Sequence, residues 1–136
     1  MLRNLFGRGK PPQPKPGPKP AAAPRPLLID VADADFAQVV EASDLLAVVD
    51  VWADWCEPCR IMSAYVGFLA ADFAGRVLVA ALDADENPAV CERFQIQGLP
   101  TLLFLRRGEE VGRIVGVTAY PDIKRQVEQL LALSEP

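Results

Sequence analysis

The chain contains the run Trp52-Ala53-Asp54-Trp55-Cys56-Glu57-Pro58-Cys59-Arg60. Residues 45–52, which lead into it, are valine-rich and apolar apart from Asp50. A run that short and that apolar reads as a strand buried on both faces. Pro58 then falls where a helix tolerates a missing N–H, in its first turn. The spacing predicts a helix from there to about residue 73, ending before Gly75. The two cysteines therefore sit where a buried strand hands over to a helix.

The alternation continues on either side. Upstream, 27–29 is a short strand, and Asp33, Ala34, Asp35 and Phe36 open a helix to about residue 43, the acidic residues suiting the positive helix N-terminus. Downstream, 77–82 is a second buried strand, and Asn87-Pro88 opens a short helix to about residue 94. A strand over 99–105 contains Pro100, Arg106-Arg107-Gly108-Glu109 is a hairpin turn, and 111–117 is the returning strand. Tyr120-Pro121 introduces a last helix with Ile123, Val127, Leu130 and Leu131 on one face. The order βαβαβαββα implies an α/β fold, a mixed five-stranded sheet flanked by helices on both faces.

The charge is divided along the chain. The 136 residues carry a net −4. Residues 1–26 hold six basic residues, no acidic one and eight of the thirteen prolines. Residues 27–136 are left with eight basic and eighteen acidic side chains, or −10. We expect a solvated, extended, basic Pro-rich tail over 1–26 and one globular domain over 27–136. Leu2, Leu5 and Phe6 lie at the front of that tail, among basic neighbours. An acidic body lacks the basic clusters that nucleic acid requires. No stretch reaches the length of a membrane span, and no apolar run follows the basic N-terminal residues. Cytoplasmic residence is the expectation.

The absence of histidine removes Ser-His-Asp and Cys-His catalysis. Three cysteines without histidine do not make the usual four-ligand zinc site, and Arg60 stands where haem attachment would need a histidine. Thiol redox chemistry remains. Two cysteines three apart at a helix start can bridge. Cys56, at the helix N-terminus, suits the nucleophilic thiolate. Cys59, one turn in and less accessible, suits the resolving thiol.

Beyond the pair, residues 27–136 resemble the thioredoxin family over essentially the whole domain. The likeness rests on Val49-Asp50-Val51-Trp52-Ala53, Trp55-Cys56-Glu57-Pro58-Cys59, Asp83-Ala84-Asp85-Glu86-Asn87-Pro88, Gly98-Leu99-Pro100-Thr101, Gly108-Glu109 and Val115-Gly116. The resemblance implies a thiol–disulfide oxidoreductase that reduces protein disulfides through a Cys56–Cys59 dithiol/disulfide cycle. It implies that Asp50, a carboxylate in an apolar strand, accepts the Cys59 proton through water. It makes Pro100 a cis-proline shaping a substrate groove, with Trp55, Glu57, Pro58, Leu99 and Gly116 also meeting substrate. Trp52 is read as core packing at least as much as a direct participant. The implied partners are a thioredoxin reductase and many disulfide-containing proteins. No metal or bound organic cofactor is implied, and the chain is expected to be a monomer.

Four residues depart from the family pattern. Glu57 stands where glycine is usual; its carboxylate disfavours a Cys56 thiolate, and Arg60 opposes that effect. Glu-Pro at this position also resembles membrane-tethered, extracytoplasmic reductases, which carry a central insertion that this chain lacks. Ala81 stands where many relatives place a lysine near the buried aspartate, so Asp50 should hold its proton to higher pH. Ala64 replaces a helix-kinking proline. Cys91 replaces alanine on the short helix, and reads as a small buried hydrophobe more than as a regulatory thiol. Two other functions remain open to these residues: a tethered reductase of extracytoplasmic partners, and a binding module working through its Pro-rich tail.

Overall fold

The computed structural model describes residues 28–134. The basic segment 1–26 therefore lies outside the described residues. Five strands form the sheet: β1 (Leu28–Val31), β2 (Leu46–Trp52), β3 (Val77–Asp83), β4 (Thr101–Arg106) and β5 (Glu109–Val115). Among the described residues three α-helices accompany them: α1 (Glu57–Asp72), α2 (Pro88–Arg93) and α3 (Tyr120–Ser134). The strand order is β1-β3-β2-β4-β5. β3 runs parallel to β1 and to β2, and β4 runs antiparallel to β2 and to β5. This is the mixed sheet, with helices on both faces, that the element order and the family resemblance imply.

Strand periodicity sorts the apolar residues into two cores. On one face, Leu46, Val48, Val79, Leu102 and Phe104 meet Met62, Val66 and Leu69 of α1 and Ile123, Val127 and Leu130 of α3. On the other, Val49, Val51, Ala80, Leu82, Leu103 and Leu105 meet Phe36, Val40, Val90 and Phe94. Central strands covered on both sides explain the nearly unbroken apolar run before the cysteines. Asp50 shares its face with Leu46 and Val48, beneath α1. The sheet thus delivers a carboxylate to the same side as the helix that carries the cysteines.

Three expectations need correction. Residues 33–43 are not an ordinary helix: a turn over 33–35 leads into one π-helical turn, Ala37–Glu41. The aspartates there do not serve that segment's dipole. Asp35 Oδ1 accepts from the Ala32 N–H at 2.7 Å. The Asp33 carboxylate accepts from the N–H groups of Ala89 and Val90, both at 2.9 Å, in the first turn of α2. Second, β4 begins at Thr101, after Pro100, because proline has no N–H to give the ladder. Third, β5 begins at Glu109, two residues before the expected position, because the hairpin turns on Arg107 and Gly108 alone. Both residues have positive φ, 51° and 83°, the combination of a tight two-residue hairpin. The active-site helix, lacking the proline at Ala64, is continuous from Glu57 to Asp72.

Candidate active site

The Cys56–Cys59 pair sits at the start of α1. Cys56 is the extended N-cap residue, and Pro58 occupies the first turn as expected. The Cα atoms lie 5.3 Å apart and the sulfurs are joined as a disulfide, a separation within the ordinary range for such bridges. The Cys56 N–H bonds to the Ala53 carbonyl at 3.1 Å, and the Cys59 N–H to the Cys56 carbonyl at 3.2 Å. These bonds fold the loop from β2 into the helix. Both cysteines are almost fully covered, 5% and 3% exposed. In the disulfide state the expected contrast in accessibility is therefore slight. Ala53 completes their cluster, with Trp52 and Leu99 against it.

The residues around the pair fall into two sets. On one side runs a shallow groove lined by Trp55, Pro88, Cys91, Ile96 and Leu99, among others. Trp55 is 70% exposed, an apolar plate beside the cysteines. Its indole N–H bonds to Asp85 Oδ2 at 3.0 Å, which fixes the ring's orientation. The Leu99–Pro100 peptide bond is cis. The Pro100 carbonyl accepts from the Gly116 N–H at 2.8 Å, joining two of the sequence-predicted groove residues. Gly116 has φ +90° and open space where a Cβ would stand. Its backbone conformation alone calls for glycine.

On the other side a recess of about 380 Å³ opens beneath the start of α1. Asp50 and Cys59 both line it, with Asp30, Asp54, Arg60, Ser63 and Ala81. Asp50 is 2% exposed, and its Oδ1 has no hydrogen-bond partner among the described residues. Burial pushes its pKa from 3.8 up to about 7. Ala81 is its register partner on β3, so the neighbouring strand presents a methyl and no charge. Glu57 is exposed, and its Oε2 lies 3.9 Å from Arg60 Nε. Among the described residues, no group of His, Cys, Asp or Glu side chains could hold a metal.

Cys91 is half-buried at the groove wall, and packs against the second core. Burial pushes its thiol up, and the carboxylates of Asp33, Asp83 and Asp85 add to that. That environment suits a protonated packing group. Sequence reading assigned no role to Asp30 or Asp85. Period-two alternation from Leu28 would have placed Asp30 on the α1 face. For Asp85 the signal was its place in an acidic run after β3, but its pairing with Trp55 spans thirty residues.

The family description "Thioredoxin" matches residues 28–129 of the chain. Thioredoxins from three strains of Staphylococcus aureus, Mu50 / ATCC 700699, MW2 and N315, are each 37% identical to it over 89 residues, which is 65% of this chain and 84% of theirs. The aligned domain includes the cysteine pair, whose closure into a disulfide makes it a redox-active centre. The activity is thiol–disulfide oxidoreduction, the protein-disulfide reductase activity of thioredoxins, with disulfide substrates and a reductase as the general classes of partner. No described helix is long and apolar enough to cross a membrane. Sheet order, cysteine placement and sequence identity agree, and the chain belongs to the thioredoxin family.

Proposed function

We propose that this chain reduces protein disulfides with Cys56 as the nucleophile, Cys59 as the resolving thiol and Asp50 as the proton acceptor. One observation carries the reading: Cys59 of the bridged pair at the start of α1 shares a recess with Asp50, a buried carboxylate of raised pKa whose Oδ1 has no hydrogen-bond partner among the described residues.

In the reduced protein the Cys56 thiolate attacks one sulfur of a substrate disulfide. A Cys56–substrate bond forms, the substrate S–S bond breaks, and the first substrate sulfur leaves and takes up a proton. The N–H groups at the start of α1 favour the attacking thiolate. Cys59 then gives its proton to Asp50 through water in the recess. As thiolate, Cys59 attacks Cys56, and the second substrate sulfur leaves and is protonated. Two electrons pass from the dithiol to the substrate, and a thioredoxin reductase restores Cys56 and Cys59. No metal or organic cofactor takes part in this cycle.

Substrate lies along the groove. Trp55 offers it an apolar plate, and Pro58 and Glu57 border the attacking sulfur. Leu99 offers backbone to an extended peptide, while Pro100 and Gly116 shape the wall. Such contacts read backbone more than side chains, so the partners are many. We place the working domain at 27–136, apart from the basic segment 1–26, and take the protein to act as a cytoplasmic monomer.

The test is reduction of a disulfide-bonded protein by wild type and by Cys56→Ser. Activity in the first and its loss in the second is the expected result. A Cys56→Ser protein as active as wild type would refute the assignment.

A further inference from the structure

We propose that Arg60 is the positioning cation for Asp50, turning from Glu57 into the recess when the Asp50 carboxyl ionises. The proposal rests on the reading of Asp50 as proton acceptor and adds a residue to it.

The Oδ1 of Asp50 is buried without a hydrogen-bond partner among the described residues. The strands on either side face it with Ala81 and Leu102, neither of which carries charge. The other titratable or charged groups that line the recess are Asp30 from β1, Asp54 from the loop, and Cys59 and Arg60 from α1. Three carboxylates thus share the space with a single guanidinium. Burial disfavours the charge on an ionised Asp50, and among the described residues lining the recess Arg60 is the one cation that can offset it.

Arg60 is free to do so. Among the described residues its one ion pair is with Glu57 at 3.9 Å, a long contact, with the side chains 75% and 83% exposed. An exposed pair of that length holds its members weakly. A guanidinium is always charged and can give paired hydrogen bonds to a carboxylate. Ala81 leaves room in the recess for that approach. With Asp50 neutral, the guanidinium stays at Glu57; with Asp50 ionised, it moves to the recess. Glu57, inside the cysteine motif, then competes with Asp50 for one cation. The residue that sets the charge beside Cys56 also tunes the base for Cys59.

The experiment follows the Asp50 carboxyl by NMR in the reduced protein, alongside the pH profile of mixed-disulfide decay. Arg60→Gln should move the Asp50 midpoint upward by about half a pH unit, as expected for a unit charge lost at the edge of a partly solvated site. Arg60→Lys should restore most of that shift. Glu57→Gln should lower the midpoint, and should do nothing when Arg60→Gln is already present, because the two act through one side chain. An unmoved midpoint in Arg60→Gln would overturn the proposal. A Glu57→Gln shift of undiminished size in the double variant would overturn it equally, since simple field effects add. Asp50→Asn separates this from the parent reading. If that variant keeps the wild-type pH profile of decay, Asp50 is not the proton acceptor, while the NMR midpoints still decide whether Arg60 serves it.

Discussion

Asp50 of β2 and Ala81 of β3 are register partners on the face covered by α1. A buried carboxyl therefore has a methyl for its lateral neighbour, and burial alone holds its proton to about pH 7. An unfolded aspartate ionises near 3.8. Between these values the folded chain binds more protons than the unfolded one. Stability from this group is then complete below about pH 4 and is lost as pH rises through 7, in total ~4 kcal/mol. Asp50→Asn should abolish that dependence. Urea denaturation at pH 4.5 and pH 8 should show the variant gaining on wild type by a few kcal/mol at the higher pH. Parallel behaviour at both would contradict the burial argument.

A cation supplied at Ala81 should reverse part of the effect. Ala81→Lys places an ammonium beside the carboxyl, and should lower the Asp50 midpoint by about one unit. Carboxyl NMR in the reduced state measures it directly. An unshifted or raised midpoint would show that the two positions do not interact.

Asp33 ties the segment after β1 to the start of α2. Its carboxylate accepts two N–H groups there, from Ala89 and Val90, while its own N–H bonds to Asn87 Oδ1 at 2.8 Å. Asp33→Ala should cost ~1–2 kcal/mol in urea denaturation, as loss of a helix cap does. The cysteine chemistry should stay intact. A change below a few tenths of a kcal/mol would mean that water replaces the carboxylate without loss.

Trp55 projects into solvent yet is held by Asp85. Asp85→Ala should release the indole. Its N–H resonance should exchange faster with solvent while that of Trp52 is unchanged. Reduction of protein disulfides should slow several-fold if an oriented ring helps seat substrate. Equal exchange in both proteins would remove Asp85 from the site.

Much of this was legible in the residues. Strand β2 announced itself because a central strand covered on both faces needs apolar side chains throughout, which also made Asp50 conspicuous. The cysteine pair was legible because Pro58 marked the helix start within two residues of Cys56. The stretch 33–43 misled because Asp33 and Asp35 look like helix-opening residues, whereas their carboxylates are engaged elsewhere: Asp33 on α2 and Asp35 on the Ala32 N–H. Local pattern does not record a bond across fifty-six positions. The cis bond at Pro100 came from family likeness, since composition does not distinguish the isomers. The recess escaped notice for a related reason. Asp30, Ala81 and Asp50 form one row only once β1 and β2 are both known to flank β3.

The central claim is that Cys56 attacks substrate and Cys59 resolves the product. Cys59→Ser leaves the first step possible and blocks the second. Incubated in reduced form with a disulfide-bonded protein, it should accumulate a covalent complex that thiol reductant releases, with peptide mass analysis placing the bond at Cys56. A complex bonded through Cys91, or full multiple-turnover reduction by Cys59→Ser with no trapped species, would contradict the account.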